Sequence, residues 1–159
     1  MPHRNSARLP SVLVVDDFVD GRELVAEYLT FRGFTVHSAC GGAQALEIAD
    51  AVRPDVVLLD LNMPGLDGWQ VARILKSNPS TQQIIVVALT AHALARETQA
   101  ARDAGCDGVI SKPFELTALA EALPRLRTLG MKALDVPGLS LTVPPYKRPQ
   151  AQATDQTEL

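Results

Sequence analysis

The stretch "DVVLLDLNMPG", residues 55–65, is a run of large apolar side chains that ends in a carboxylate, Asp60, shortly before a turn. A continuous apolar run rich in β-branched residues is typical of a strand that is buried on both faces, as in a parallel sheet. A carboxylate at the end of such a strand is unusual, and the residues at the ends of the neighbouring strands explain it.

Four further segments of the chain have the pattern of strands. Residues 12–15 and 84–89 are also continuous apolar runs, residues 34–37 alternate like an edge strand, and residues 108–111 form a short fifth strand. Segments with helical periodicity lie between these strands, which implies right-handed βαβ crossovers. The sequence therefore predicts an α/β fold: a flavodoxin-like, doubly wound, five-stranded parallel sheet of order 2-1-3-4-5 with helices on both faces.

Apolar residues spaced three and four apart mark the helices. In the first helix we expect one buried face, which carries Leu24, Val25, Tyr28 and Leu29. Gly33 follows that helix at a position typical of a C-cap. Asp67 precedes the third helix and is a candidate for its N-cap.

The composition excludes several classes of protein. The formal net charge of -3 argues against a broad nucleic-acid surface, and two cysteines are too few for a disulfide framework. No segment approaches the roughly 20 apolar residues that a membrane span needs. We expect a cytoplasmic protein that contacts neither membrane nor nucleic acid directly.

The chain divides into three parts on the basis of its pattern. Residues 1–10 are expected to be a flexible N-terminus, and residues 11–129 one globular domain. Residues 130–159 are rich in Pro, Gln and Thr, which predicts a mostly disordered tail. The lack of a helix-turn-helix pattern after Leu123 argues against a transcription factor.

Acidic residues end two of the strands that this order makes neighbours. Asp16 and Asp17 follow the first strand, and Asp60 ends the third. Because the carboxyl ends of parallel strands meet at one edge of the sheet, these carboxylates are expected to crowd together and to need a counter-charge. A hard divalent cation with oxygen ligands, Mg²⁺, is the economical one. Helix capping by Asp16 or Asp17 is the alternative, but it leaves Asp60 unexplained.

The last two strands bring a hydroxyl and an ammonium group to the same rim. Thr90 ends the fourth strand, and a hydroxyl can donate to a phosphoryl oxygen. Lys112 follows the fifth strand and is a point charge suited to a phosphoryl oxygen or a carboxylate. The Lys-Pro dipeptide also raises the chance of a cis peptide bond at Pro113.

Four blocks, in this order and at these spacings, resemble the signature blocks of receiver domains of two-component response regulators. The blocks are "VLVVDD", "VVLLDLNMPGLDGWQV", "VVALTA" and "GVISKPF", and the resemblance runs from about Ser11 to Leu123. It implies a stand-alone receiver of single-domain type within residues 11–129. Gly65 and Gly68 of the loop "MPGLDG" are expected to permit its turns.

The resemblance implies the role of each acid. Asp60 is expected to accept a phosphoryl group from a sensor histidine kinase or a histidine phosphotransfer protein. Asp17, Asp60 and the backbone carbonyl of Asn62 would bind Mg²⁺, with Mn²⁺ as an alternative, and Asp16 would bind it through water. The chain would catalyse its own Mg²⁺-dependent phosphorylation and dephosphorylation without being a turnover enzyme.

The resemblance also implies which groups hold the phosphoryl group. Thr90, Lys112 and the backbone N–H of Ala91 would bind it, and His92 and Asn62 stand where its lifetime is tuned. A solvated loop histidine is the alternative for His92. One departure is Val109, which stands where many receivers have an aromatic residue that swings inward on activation, so the sequence lacks the aromatic half of the usual switch.

Two other functions remain open at this stage. A haloacid-dehalogenase-like phosphatase also uses an aspartate after a parallel strand, but it needs an acid where this chain has Asn62. A phosphate-independent interaction module with the same fold is the other. The favoured function is a phosphorylation-activated switch of a two-component phosphorelay that signals by protein–protein interaction with an unknown downstream target.

Overall fold

The computed structural model describes residues 8–91 and 95–142. Strands and helices alternate along them as the sequence predicts. The elements are β1 (Val12–Val15), α1 (Val19–Phe31), β2 (Val36–Ala39), α2 (Gly42–Val52), β3 (Val56–Asp60), α3 (Gly68–Ser77), β4 (Ile85–Thr90), α4 (Ala95–Ala104), β5 (Gly108–Ser111), α5 (Leu116–Ala122), α6 (Leu126–Leu129) and β6 (Ser140–Thr142).

The strands form one sheet of order β2-β1-β3-β4-β5-β6. The first five strands are parallel, which confirms the predicted 2-1-3-4-5 order, and β6 adds to the edge of β5 in the antiparallel direction. The register pairs Val15 with Leu59 and Asp60 with Leu89. The carboxyl ends of β1, β3 and β4 therefore lie side by side at one edge of the sheet.

Two apolar layers cover the two faces of the sheet. Successive side chains of a strand point to opposite faces. Val12 and Val14 accordingly pack in the layer that contains α1 and α5, whereas Leu13 and Val15 pack in the layer that contains α2 and α3. Both layers are apolar, so the central strands are buried on both faces, as the continuous apolar runs predict.

The predicted buried face of the first helix was wrong at Leu24. Val25 and Leu29 are buried, but the side chain of Leu24 is 60% exposed. Adjacent helical residues point about 100° apart, and Val25, four residues before Leu29, faces the sheet, which turns Leu24 toward the edge of the buried face. The second strand also begins two residues later than predicted, at Val36.

The expected caps and the expected cis bond are present. The Asp67 side chain accepts a hydrogen bond from the Gln70 N–H at 2.9 Å, and the Gln70 side chain accepts one from the Asp67 N–H. Gly33 follows α1 with a φ of 95°, a conformation that favours glycine. The Lys112–Pro113 peptide bond is cis.

Residues 130–142 are ordered, which corrects the prediction that the disordered tail begins at residue 130. A 3₁₀ turn at Gly130–Leu134 buries Ala133 and Leu134, and Leu139 is buried before β6. The prediction rested on the Pro, Gln and Thr content of residues 130–159, and an average composition does not reveal a short apolar turn within such a stretch. Residues 1–7 and 143–159 lie outside the described residues. Within the described part of the chain, no helix is both long and apolar enough to span a membrane.

Candidate functional site

Three carboxylates meet at the carboxyl edge of the sheet. One side-chain oxygen each of Asp16, Asp17 and Asp60 lies within 4.8 Å of the other two. Asp16 and Asp60 are each 7% exposed, whereas Asp17 is exposed to solvent. They converge because β1 and β3 are parallel neighbours and the acids stand at corresponding ends.

The turn after β1 fixes Asp16 without making it a helix cap. Its Oδ1 atom accepts a hydrogen bond from the Phe18 N–H at 2.9 Å, and its backbone carbonyl accepts one from Arg22 Nη1 at 2.8 Å. Phe18 itself is the N-cap of α1, with no side-chain cap. The capping alternative for Asp16 and Asp17 was therefore wrong. Arg22 was missed from the sequence, and its spacing six residues after Asp16 carries no motif that would have indicated it.

Asp60 lies between a backbone donor and two charges. Burial raises the pKa of Asp60, the neighbouring Asp16 carboxylate adds to that increase, and the Asn62 N–H and the Lys112 ammonium oppose it. The Asn62 N–H donates to Asp60 Oδ1 at 3.0 Å. The Oδ2 atom lies 3.7 Å from Lys112 Nζ. The site thus keeps one oxygen of Asp60 oriented by the backbone and directs the other toward the ammonium.

Lys112 reaches back across the sheet edge to two of the acids. Its Nζ atom lies 3.5 Å from Asp16 Oδ2 as well as 3.7 Å from Asp60 Oδ2. Its backbone N–H donates to the Thr90 carbonyl at 2.7 Å, which ties the end of β5 to the end of β4. Among the described residues, the Lys112 ammonium contacts two of the three carboxylates and the Arg22 guanidinium binds the Asp16 backbone carbonyl, so the carboxylates outnumber the cations around this hollow.

The remaining predicted site residues are placed as follows. Thr90 is buried at the end of β4, next to β3, and Ala91 follows it at the surface. His92 lies outside the described residues. Val109 is 1% exposed within the apolar layer that contains α3, so it is a core residue with no room to swing.

Gly68 has a different role from the predicted one. Gly65 has a φ of 76° and makes the expected turn, but Gly68 is the first residue of α3. A Cβ atom on Gly68 would lie 2.6 Å from the Asp60 carbonyl oxygen. Glycine at this position therefore lets α3 begin directly against the end of β3.

The donor set fits a hard divalent cation. All three groups are carboxylate oxygens, the ligands that Mg²⁺ and Ca²⁺ prefer. Two of the acids are buried and one is exposed, so the hollow is open on one side to water, as Mg²⁺ sites usually are. The excess negative charge gives the cation an electrostatic reason to bind.

Comparisons with known proteins identify the family of this chain. The family model of the response regulator receiver domain matches residues 12–124. The chain is 44% identical over 118 residues to the response regulator MprA of Mycobacterium ulcerans (strain Agy99), covering 74% of this chain and 49% of that protein. It is 38% identical over 156 residues to the response regulator MprA of Mycobacterium sp. (strain KMS), covering 93% of this chain and 66% of that protein.

Solved structures give the same result. The chemotaxis protein CheY4 of Vibrio cholerae has a TM-score of 0.69 at 29% identity and covers 74% of this chain and 98% of its own. The signal receiver domain of a histidine kinase from Syntrophus aciditrophicus has a TM-score of 0.68 at 29% identity, over 74% and 89%. The chain spans about half to two thirds of the length of the first curated relatives. With a receiver model matching most of its length, the chain belongs to the family of response regulator receiver domains.

Proposed function

We propose that this chain is a phosphorylation-activated switch that accepts a phosphoryl group on Asp60 from a histidine of a sensor kinase or a phosphotransfer protein. The observation that carries the proposal is the convergence of Asp16, Asp17, Asp60 and Lys112 at one edge of the sheet. A buried carboxylate, beside a cation site and an ammonium, has the surroundings that transfer of a phosphoryl group needs.

Asp60 acts as the nucleophile in this proposal. One of its carboxylate oxygens attacks phosphorus in line, an O–P bond forms, and the N–P bond to the donor imidazole breaks with its electron pair leaving on nitrogen. A carboxylate is a poor nucleophile unless it is positioned, and the Asn62 N–H on Oδ1 supplies that orientation. Asp17, Asp60 and the Asn62 carbonyl would hold Mg²⁺, with Asp16 bound through water. Mg²⁺ would neutralise charge on the transferred group.

Lys112 changes partners in the proposed reaction. Its ammonium now faces the carboxylates of Asp16 and Asp60 at 3.5 and 3.7 Å. Phosphorylation replaces the single negative charge of the Asp60 carboxylate with the roughly two negative charges of the phosphoryl group, and the ammonium pairs with the new oxygens. Thr90 and the Ala91 N–H lie on the neighbouring strand end and bind the same group, so the Thr90 hydroxyl is drawn toward the new oxygens. Because Val109 is a core residue, output through an inward-swinging side chain at that position is not part of this switch.

Intact-mass measurement tests the proposal. The protein is incubated with Mg²⁺ and a small acyl phosphate donor, and we expect one phosphoryl adduct on the wild type and none on Asp60→Asn. Asp55→Asn is the matched control, because Asp55 precedes the opposite end of β3 and pairs with Ser11 and Arg127 instead. An unmodified wild type under donor excess, or an adduct that survives in Asp60→Asn, would contradict the proposal.

Two further assays test the alternative functions. A phosphatase needs a proton donor near its nucleophile, and Asn62, two residues after Asp60, cannot give or take a proton. Steady turnover of a phosphate monoester would favour that alternative nevertheless. Binding to a partner protein that is indifferent to Asp60→Asn would favour a phosphate-independent interaction module.

A further inference from the structure

The last described residues of the chain, 136–142, pack against the loop that carries Lys112. We call them the C-terminal segment. Its strand β6 pairs with β5, with Ser140 opposite Ser111 and Leu141 opposite Ile110. Just before β6, the Gly138 carbonyl accepts a hydrogen bond from the Glu115 N–H at 2.9 Å. The segment lies beyond residues 12–124, the span that the receiver family model matches.

These two attachments lie on either side of Lys112. The residue before it, Ser111, is paired with Thr90 on one side and with Ser140 on the other. Three residues after Lys112, Glu115 is held by Gly138. Without the segment, β5 would be the edge strand of the sheet, and this side of the loop would lose both backbone attachments.

The contact between segment and loop depends on a few backbone positions. A Cβ atom on Gly138 would lie 2.7 Å from Glu115 Oε2, so the Glu115 side chain packs against the turn, beside a groove of about 410 Å³ that residues 113–115 and 136–140 line. Leu139, 6% exposed, anchors the segment in the core. Gly138 has a φ of 91°, and a Cβ atom there would lie 3.1 Å from the Ala118 Cβ atom. The turn at Gly138 is therefore sensitive to any added side chain.

We propose that the C-terminal segment is a positioning element of the phosphorylation site. It fixes the loop between β5 and α5 so that Lys112 Nζ stays within reach of Asp16 and Asp60. The inference rests on the proposed function, since it assigns the segment a role in that reaction. The stem of lysine has a limited reach, so the position of its backbone decides which oxygens its ammonium can contact, and small displacements of a positioned charge slow a reaction markedly.

A double-mutant cycle between the segment and Lys112 tests the inference. Gly138→Ala strains the turn that holds Glu115, and Ser140→Ala is the control, because it removes only an exposed hydroxyl from the same segment. At saturating Mg²⁺ and donor, we expect Gly138→Ala to slow phosphorylation of Asp60 by about three- to tenfold, the worth of one hydrogen bond. Ser140→Ala should react at the wild-type rate. In a Lys112→Ala background, Gly138→Ala should have no further effect, since both changes act through one ammonium.

The outcomes separate a positioning role from a purely structural one. Circular dichroism establishes that each variant is folded at the assay temperature, and hydrogen exchange at the Glu115 amide reports loss of its bond to Gly138. If Gly138→Ala does not fold, Leu139→Ala takes its place in the same cycle. Wild-type rates in a variant whose Glu115 amide exchanges faster would overturn the inference, and so would additive losses with Lys112→Ala. A wild type that never becomes phosphorylated would instead refute the proposed function.

Discussion

Replacing Asp60 with asparagine should make the metal-free protein more stable at neutral pH, although it removes the proposed phosphoacceptor. Asp60 is 7% exposed and lies within 4.8 Å of oxygens of both Asp16 and Asp17. Burial and the Asp16 carboxylate raise the pKa of Asp60 against the opposing effects of the Asn62 N–H and Lys112. Above that raised pKa, the ionised carboxylate lowers the free energy of unfolding, and asparagine removes this penalty.

The magnitude follows from the distances. Two unit charges 4.8 Å apart repel by about 3.5 kcal/mol at an effective dielectric constant of about 20. The attraction between Asp60 Oδ2 and Lys112 Nζ, 3.7 Å apart, offsets this repulsion by about 4.5 kcal/mol at the same dielectric constant. The Asp60 carboxylate is thus repelled by two carboxylates and attracted by one ammonium, and water around the exposed Asp17 weakens the repulsion from Asp17. We expect a net gain of about 1 to 2 kcal/mol, or a midpoint of thermal unfolding higher by about 5 °C.

Urea unfolding at pH 7 in the presence of EDTA measures this difference. Asp50→Asn, at an exposed position of α2, is the matched control and should change the free energy of unfolding by no more than about 0.5 kcal/mol. The advantage of Asp60→Asn should shrink as the pH falls through the raised pKa of Asp60 and disappear below 3.8, its ordinary value, because the carboxyl is then protonated in both states. Mg²⁺ should stabilise the wild type more than the variant. If Asp60→Asn is less stable than the wild type in EDTA, the argument from charge crowding is wrong.

Three further predictions concern regions away from the site. Burial raises the pKa of Asp55, but its hydrogen bonds to Ser11 and Arg127 outweigh this effect and lower the pKa below 3.8. The interaction between Asp55 and Arg127 therefore stabilises the fold above pH 3.8, and this stabilisation is lost as the pH falls through the lowered pKa. Urea unfolding of Arg127→Met should therefore show a loss of about 0.5 kcal/mol at pH 7 that fades below pH 3.8, and an undiminished loss in acid would contradict this. Burial raises the pKa of Cys106 to about 12, so a maleimide at pH 8 should label only the exposed Cys40 in the native protein, with a second adduct by mass only after denaturation. Asp67→Ala removes both hydrogen bonds of the α3 capping box and should cost about 1 kcal/mol in the same unfolding assay, whereas a loss within error would show that the box contributes nothing.

The site could be predicted from the sequence because it is built from strand ends. Continuous apolar runs locate β1, β3 and β4, and parallel order then forces Asp16 and Asp60 to the same edge. No side-chain geometry is needed for this step, only strand order and the residue that follows each strand. The same reasoning brought Lys112 to the rim from the end of β5, and the structure places it within 3.7 Å of Asp60.

Features that depend on close approach between elements could not be predicted in this way. Gly68 was assigned to a turn, but its absent side chain matters because a Cβ atom at the start of α3 would lie only 2.6 Å from the Asp60 carbonyl oxygen. Arg22 contacts a backbone carbonyl, which leaves no trace in a residue pattern. Leu134 and Leu139 are buried by a short 3₁₀ turn and an irregular stretch of chain, which the Pro-rich composition of residues 130–159 masks.

The two halves of the site differ in how firmly the sheet holds them. The carboxylates come from β1 and β3, each of which pairs with a parallel strand on both sides. The ammonium comes from the end of β5, whose outer neighbour is the short strand β6, contributed by residues outside the matched family span. Changes in the C-terminal segment should therefore displace the Lys112 ammonium while leaving the three carboxylates in place. Receivers that differ only after α5 could thus differ in phosphorylation rate at equal affinity for Mg²⁺, because the residues that place Lys112 are not the residues that place the acids.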